Sequence, residues 1–308
     1  MLRLLLLYLS GASWARRIVM GWGLARRVAR RYVAGETEDD VIAAIRVLNQ
    51  KGITATVDIL GESTADAAEA SRYAEAYLHL IERVSAEQLK SSVSLKLTAL
   101  GLGVDPAICH DHMRRILDTA RTHGIKVTID MEDHTATDRT LAMLRRLRAE
   151  GYENVQAVIQ AYLFRSEADI ATLAEEKVDV RLCKGAYREP PSVAHPRKSD
   201  VDAAYVKLMK LLLDAANAGG GYPGIATHDP AMIAATRAYA EQCHISLDRF
   251  EFQMLYGIRP ALQEELARAG YGMRVYVPFG TQWYPYFMRR LAERPANLWF
   301  FASNLFRG

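Results

Sequence analysis

The chain has 308 residues, 50% of them hydrophobic and 24% charged, so it can bury a large core and is neither disordered nor fibrous. Its net charge of +3 is too small to argue for nucleic acid as a partner. Cys109, Cys183 and Cys243 lie far apart and form no CxxC pair, which points away from a zinc site or a disulfide framework and fits a reducing compartment.

The charge is uneven. Residues 1–35 carry seven Arg and no Asp or Glu, which leaves the rest of the chain at about −4. The run Leu4-Leu5-Leu6-Leu7-Tyr8-Leu9 is too short to span a bilayer. It could serve as a signal h-region, but no clear small-x-small cleavage site follows, and the stretch is poor in Ser for a transit peptide. Trp14, Ile18, Val19, Trp22 and Leu24 interleave with Arg, so residues 1–34 read as a helical arm for a partner subunit or a membrane surface.

From residue 35 a pattern repeats. The β-rich runs 54–60, 92–97, 125–130, 155–160, 178–182, 224–227, 249–254 and 273–277 are each followed by a helical stretch, the last of which begins near Tyr284. Eight such units over about 250 residues imply an α/β fold, a parallel (βα)8 barrel over residues 35–308. A doubly wound sheet is the alternative. It is disfavoured because Gly21-Trp-Gly23 and Gly101-Leu-Gly103 lack the third glycine of a dinucleotide fingerprint.

In a barrel, catalytic groups belong where the strands end and in the loops that follow. Those positions hold Asp58 and Glu62, Lys96, Asp130, Gln160, Arg181 and Lys184, Thr227 and His228, Gln253, and Tyr276. Such a set on one rim implies a polar, functional mouth. In the last helix Tyr286, Arg289, Arg290 and Glu293 fall at i, i+3, i+4 and i+7, one face with two guanidinium forks that suit a small carboxylate. Taken alone, the same pair reads as solvated charge near a helix end.

The residue types leave several chemistries open. Lys96 lies in an apolar strand, where burial could lower its pKa for Schiff-base or general-base work; otherwise it is a structural partner of Asp130. The acids of Asp130-Met-Glu132-Asp133-His134 look like metal ligands but are more often caps, and Cys109-His110-Asp-His112 sits away from the rim, so no metal is expected. Arg181-Leu-Cys-Lys184-Gly185-Ala186-Tyr187 places two cations beside a glycine, as a pyrophosphate or an anionic cofactor ring would require. A cofactor enzyme acting on a small carboxylate, a Lys96 aldolase and a non-catalytic barrel all remain; the surplus of cations favours the first.

The motifs Ser94-Leu-Lys96-Leu-Thr, Val158-Ile-Gln160-Ala-Tyr, Arg181-Leu-Cys-Lys184-Gly-Ala-Tyr187, Ala226-Thr227-His228, Phe250-Glu-Phe-Gln253-Met-Leu255-Tyr-Gly, Tyr276-Val-Pro-Phe-Gly and Tyr286-Phe-Met-Arg289-Arg290-Leu-Ala-Glu293 run in order over about residues 30–300. Together they resemble the monofunctional bacterial proline dehydrogenases. The resemblance implies a distorted (βα)8 barrel with a final helix over its mouth, and non-covalent FAD. It also implies oxidation of L-proline to Δ1-pyrroline-5-carboxylate by hydride transfer from C5 to the flavin N5, the first step of proline catabolism.

Electrons would pass to a membrane quinone, from a cytoplasmic protein peripheral on the inner face of the membrane. A pyrroline-5-carboxylate dehydrogenase would be a separate chain, and a homo-oligomer could form through the arm. By the same resemblance, Arg289 and Arg290 clamp the proline carboxylate with Lys96 beside them, Leu255, Tyr276 and Tyr286 wall the ring, and Tyr187 packs over the site. Asp130 orients the cations. Gln160, Arg181, Lys184, Gly185, Ala186, Thr227, His228, Gln253 and Glu293 serve the FAD, and Glu62 pairs with Arg289 as a gate.

Overall fold

The computed structural model describes residues 27 and 29–293. Helix α1 (Glu38–Gln50) leads into β1 (Thr54–Ile59), and then strands and helices alternate. They are α2 (Ala67–Ala86), β2 (Ser91–Leu95), α3 (Pro106–Thr122), β3 (Val127–Ile129), α4 (His134–Ala149), β4 (Val155–Gln160) and α5 (Ser166–Glu175). After these come β5 (Val180–Cys183), α6 (Lys198–Asn217), β6 (Pro223–Ala226), α7 (Pro230–Gln242), β7 (Glu251–Leu255), α8 (Pro260–Arg268), β8 (Gly272–Phe279) and α9 (Trp283–Glu293). The eight strands pair in chain order, all parallel, and β1 closes on β8 with Thr54 opposite Arg274. The expected α/β barrel is what forms.

The period-2 side-chain alternation of a strand explains the layers. Val57, Val93, Leu95, Val127, Ile129, Phe252, Met254 and Val275 face the helices and are buried against side chains such as Ile45, Leu80, Met113, Leu144 and Leu213. Each such side chain contributes roughly 1.5–3 kcal/mol by leaving water. The helices start where the βα loops end because Asp66, Asp105, Asp133 and Asp229 each accept a hydrogen bond from a first-turn N–H. Such a cap is worth about 1 kcal/mol.

Most strand boundaries shift by one or two residues from the expected ones, and two of these shifts bear on the site. The third strand is confined to Val127–Ile129, although Asp130 just beyond it still donates its N–H to the Leu95 carbonyl of β2 at 2.8 Å. The eighth runs on through Pro278 to Phe279, two residues past the expected end, and the Pro278 carbonyl accepts from Ala34 N–H. Helix α1, to which the sequence reading assigned no element, is fixed by a capping box between Thr37 and Asp40.

Of the expected N-terminal arm, residues 1–26 and 28 lie outside the described part. Ala29, Tyr32 and Val33 pack with Leu60, Trp283, Tyr284, Phe287, Met288 and Leu291 in a second apolar cluster that holds α9 in place. Trp283 Nε1 donates to Glu36 Oε1 at 3.0 Å. Gly257, at φ +71°, permits the approach, since a Cβ there would lie 1.6 Å from the Arg31 carbonyl oxygen. No described helix is long and apolar enough to cross a membrane.

Candidate active site

The inward faces of the strands are polar. Thr56 and Asp58 of β1, Ser92, Ser94 and Lys96 on and after β2, Thr128 and Asp130 at β3, Gln156 and Gln160 of β4, Arg181 of β5, Glu251 and Gln253 of β7, and Arg274 and Tyr276 of β8 alternate with the apolar outward set. Barrel interiors are more often filled with branched apolar side chains. Here charged and hydrogen-bonding groups fill it, and such groups are costly to bury unless paired.

They are paired. Asp130 accepts from Arg181 Nη1 at 2.6 Å, Ser94 Oγ at 2.7 Å and the Tyr276 hydroxyl at 2.9 Å. Arg181 also donates from Nε to Gln253 Oε1 at 2.6 Å and stacks over the Tyr276 ring. Lys96 Nζ donates to Asp58 Oδ2 at 3.2 Å and lies 3.9 Å from Asp130. Burial works to lower the Lys96 pKa, but the carboxylates of Asp58 and Asp130 outweigh it and hold the ammonium above its ordinary value. The lowered pKa that a Schiff-base lysine would need is therefore overturned. Lys96 is a buried cation paired with Asp58, whose own carboxyl pKa is pushed up by burial.

Above this floor lies a cavity of about 600 Å³, lined at one end by Lys96, Tyr276, Tyr286, Arg289 and Arg290 and at the other by Gln160, Lys184, Thr227 and His228. Val158, Ala226, Met254 and Leu255 give it apolar wall, and Asp130, Arg181, Gln253, Gly185, Ala186 and Tyr187 also line it. Five cationic side chains face it against the carboxylates of Asp130 and Asp229. A flat aromatic ring with an anionic tail, together with a small carboxylate, matches that donor set. On that ground the residues fit a flavin dinucleotide.

Helix α9 supplies one wall of this cavity. Its apolar side packs into the second cluster, which turns Tyr286, Arg289 and Arg290 into the mouth. Arg290 is buried, with its guanidinium 5.1 Å from the Tyr286 ring centre. Arg289 Nη1 meets Glu62 Oε1 at 3.2 Å, and Glu62 keeps the guanidinium pKa raised although burial alone would lower it. A second cavity of about 250 Å³ lies beyond this ion pair and shares Lys96, Tyr286 and Arg289 with the first. Nothing is described of the Glu293 side chain.

At the other end, His228 Nε2 accepts the Leu255 N–H at 2.9 Å, which leaves Nδ1 to carry the proton of the neutral ring. Gln160 donates to the Glu132 carbonyl at 2.8 Å, and Thr227 Oγ1 accepts from Asp229 N–H. Lys184, which the motif reading gave to the flavin ring, is held between Asp202 at 2.5 Å and Asp229 at 2.8 Å. Gly185 adopts φ +113°, where a Cβ would fall 2.3 Å from the Tyr162 ring, so only glycine lets the loop cross that ring towards Tyr187.

The rim positions thus separate into two levels. Lys184, Thr227 and His228 are at the mouth with Glu62 and Tyr187. Asp58, Arg181 and Gln253 belong to the interior, and residues at one depth interlock across the barrel instead of ringing its edge. The acidic run after Ile129 resolves into local contacts: Glu132 accepts from Thr98 Oγ1 at 2.6 Å, Asp133 caps α4, and His134 pairs with Glu189. His110 pairs with Glu150, and His112 contacts the Leu100 carbonyl. Among the described residues no group of His, Cys, Asp and Glu could hold a metal.

Sequence reasoning gave no specific role to Asp58, Ser94, Glu251 or Arg274, all of them in the interior network. The signal was present as polar residues at every second position: Ser92-x-Ser94-x-Lys96 and Glu251-x-Gln253.

A family model described as proline dehydrogenase matches residues 41–303. Proline dehydrogenase 1 of Bacillus subtilis (strain 168) is 43% identical over 307 residues, with 100% of both chains covered. The proline dehydrogenase of Deinococcus radiodurans is 41% identical over 285 residues, with 91% of each covered. Among solved structures, proline utilization A from Bdellovibrio bacteriovorus inactivated by N-propargylglycine superposes with a TM-score of 0.81 at 30% identity, over 87% of this chain and 33% of that one. This chain spans about a third of that longer protein. With a family model covering most of its length and relatives matched end to end, the chain belongs to the proline dehydrogenase family.

Proposed function

We propose that the chain is an FAD-dependent proline dehydrogenase that converts L-proline to Δ1-pyrroline-5-carboxylate, the first step of proline catabolism, and delivers the electrons to a membrane quinone. The observation that carries this reading is the make-up of the 600 Å³ cavity: Arg289, Arg290 and Lys96 beside Tyr276 and Tyr286, apolar wall from Val158, Ala226, Met254 and Leu255, and Arg181 and Lys184 with the neutral side chains of Gln160 and Thr227. Arg289 and Arg290 hold the substrate carboxylate, each able to offer two N–H donors. Lys96, kept charged by Asp58 and Asp130, adds a third positive contact. Tyr276, Leu255 and Tyr286 enclose the ring and keep water from it, and the Tyr276 phenol, tied to Asp130, leaves little room for a ring hydroxyl.

When bound, the flavin supplies at N5 the acceptor for the hydride leaving C5 of proline. Arg181 and Gln160 would hold its isoalloxazine. Thr227, His228 and Lys184 serve the remainder of the FAD, with Lys184 exchanging a carboxylate partner for it. The amine must be neutral for the imine to form, so the proton is lost from the substrate nitrogen and the rate rises with pH. Glu62 and Arg289 form a gate over the carboxylate site. The arginine-rich first 35 residues support contact with an anionic membrane surface or a second subunit, consistent with residues 1–34 as an arm and 35–308 as the catalytic barrel.

Arg290→Met is expected to raise KM for proline about 30-fold or more, the loss of a buried charge-assisted contact, with flavin content unchanged. Loss of the flavin with proline affinity intact would show the clamp to be misplaced.

A further inference from the structure

Below the cavity a chain of side chains continues to the opposite end of the barrel. Arg181 Nε donates to Gln253 Oε1 at 2.6 Å, Gln253 Nε2 donates to Glu251 Oε1 at 2.7 Å, and Glu251 accepts from Arg274 at 2.5 and 3.1 Å. Glu251 and Gln253 are two apart on β7 and so share its inward face. Arg274 is fixed in turn by the Ala55 carbonyl at 2.8 Å and Ser92 Oγ at 3.2 Å. An arginine can only donate and a carboxylate can only accept, so the Gln253 amide has a single satisfactory orientation. Glu251 selects it.

The wall is shaped around this chain. Gly224 of β6 faces Gln253, and a Cβ there would lie 2.2 Å from Nε2, so a larger residue would push the amide away from Glu251. A polar cavity of about 210 Å³ borders Glu251, Gln253 and Arg274, giving water room to solvate an altered side chain.

We propose that Glu251, anchored by Arg274, is a positioning residue that sets the direction of Arg181 through Gln253, from the end of the barrel opposite to the substrate. The inference rests on the proposed function only for what Arg181 faces; its hold on Arg181 stands by itself. Arg181 donates to Gln253 and Gln253 to Glu251 Oε1, and that oxygen also accepts from Arg274 Nε, while Oε2 accepts from Arg274 Nη2. Changing Glu251 to Gln puts its NH2 against a donor of Arg274 whichever way the amide turns. Changing Arg274 to Met as well removes the conflict. The amide oxygen at position 251 would then accept from Gln253 alone, and Gln253 would still accept from Arg181.

The test uses the flavin-loaded enzyme and the ligand-free protein. Glu251→Gln is expected to lower kcat for proline at least tenfold with KM within twofold. It should also expose the Arg181 Nε–H resonance, assigned with Arg181→Lys, to rapid solvent exchange in the ligand-free protein. The double variant E251Q/R274M is expected to restore both, to within about threefold for kcat. Glu251→Asp keeps the charge for Arg274 but withdraws it from Gln253, and should show the same split if E251Q does not accumulate as folded protein. A protected resonance and unchanged kcat in E251Q, or a double variant no better than the single change, overturns the proposal. A wild-type enzyme inert towards proline would overturn the functional reading alone, with the resonance still deciding this one.

Discussion

The two faces of the same eight strands carry opposite chemistry. Outward, Val57, Val93, Ile129, Phe252 and Val275 meet the helices in an apolar shell that is buried throughout. Inward, Asp58, Lys96, Asp130, Arg181, Glu251 and Arg274 form an alternating ladder of charge. The first face stabilises the fold by removing apolar area from water. The second contributes little net stability, since desolvation offsets the attraction of buried ion pairs. Its use is to fix cations beneath a cavity. Stability and chemistry thus separate by strand face, at positions one residue apart.

Substitutions can break or sharpen this contrast. The largest effect on stability is expected outward: Phe252→Ala should cost about 3–5 kcal/mol in chemical denaturation, while the folded enzyme keeps the wild-type KM for proline. Inward, Asp58→Asn leaves Lys96 without its nearest carboxylate and should cost about 3 kcal/mol. Replacing the pair, as Asp58→Leu with Lys96→Met, is expected to recover most of that loss and still yield an enzyme with poor proline affinity. If the paired replacement were as unstable as the single one, the inner face would be a source of stability after all.

Smaller effects lie at the two ends. The Glu62 and Arg289 side chains are 35% and 20% exposed, so Glu62→Gln should change stability by less than about 1 kcal/mol; the change should show instead in the rates of proline binding and release, by stopped flow. At the floor, Asp179 is burdened by burial, yet Lys126, the Tyr222 N–H and Gln156 win and hold its pKa below 3.8. A carboxyl lowered on folding stabilises above its unfolded pKa and loses that contribution as pH falls through its folded value. The stability gap between the wild type and Asp179→Asn should therefore be constant at neutral pH and shrink only below about pH 4. A gap that narrows near pH 6 would assign the linkage to another group.

Sequence reasoning reached the outer face more fully than the inner. Runs such as Val155–Gln160 announce buried strands by composition, and eight repeats leave little choice of fold. The motif around Arg289 and Arg290 located the mouth because helical spacing puts both on one face. Lys96 shows where sequence reasoning fails: its pKa depends on Asp58, 38 residues away, and no local pattern states that the two side chains meet. Glu251 and Arg274 are hidden for the same reason. Their pairing joins the neighbouring strands β7 and β8, so register and depth must be known before it is visible.

The most direct measurement is the visible absorbance of the purified, flavin-loaded protein mixed anaerobically with L-proline. Bleaching of the flavin band by L-proline, with none by hydroxyproline, is the expected result if Leu255, Tyr276 and Tyr286 enclose an unsubstituted ring beside Arg289 and Arg290 as proposed. A flavin band that stays oxidised under L-proline, or a protein that holds no flavin, would contradict the account.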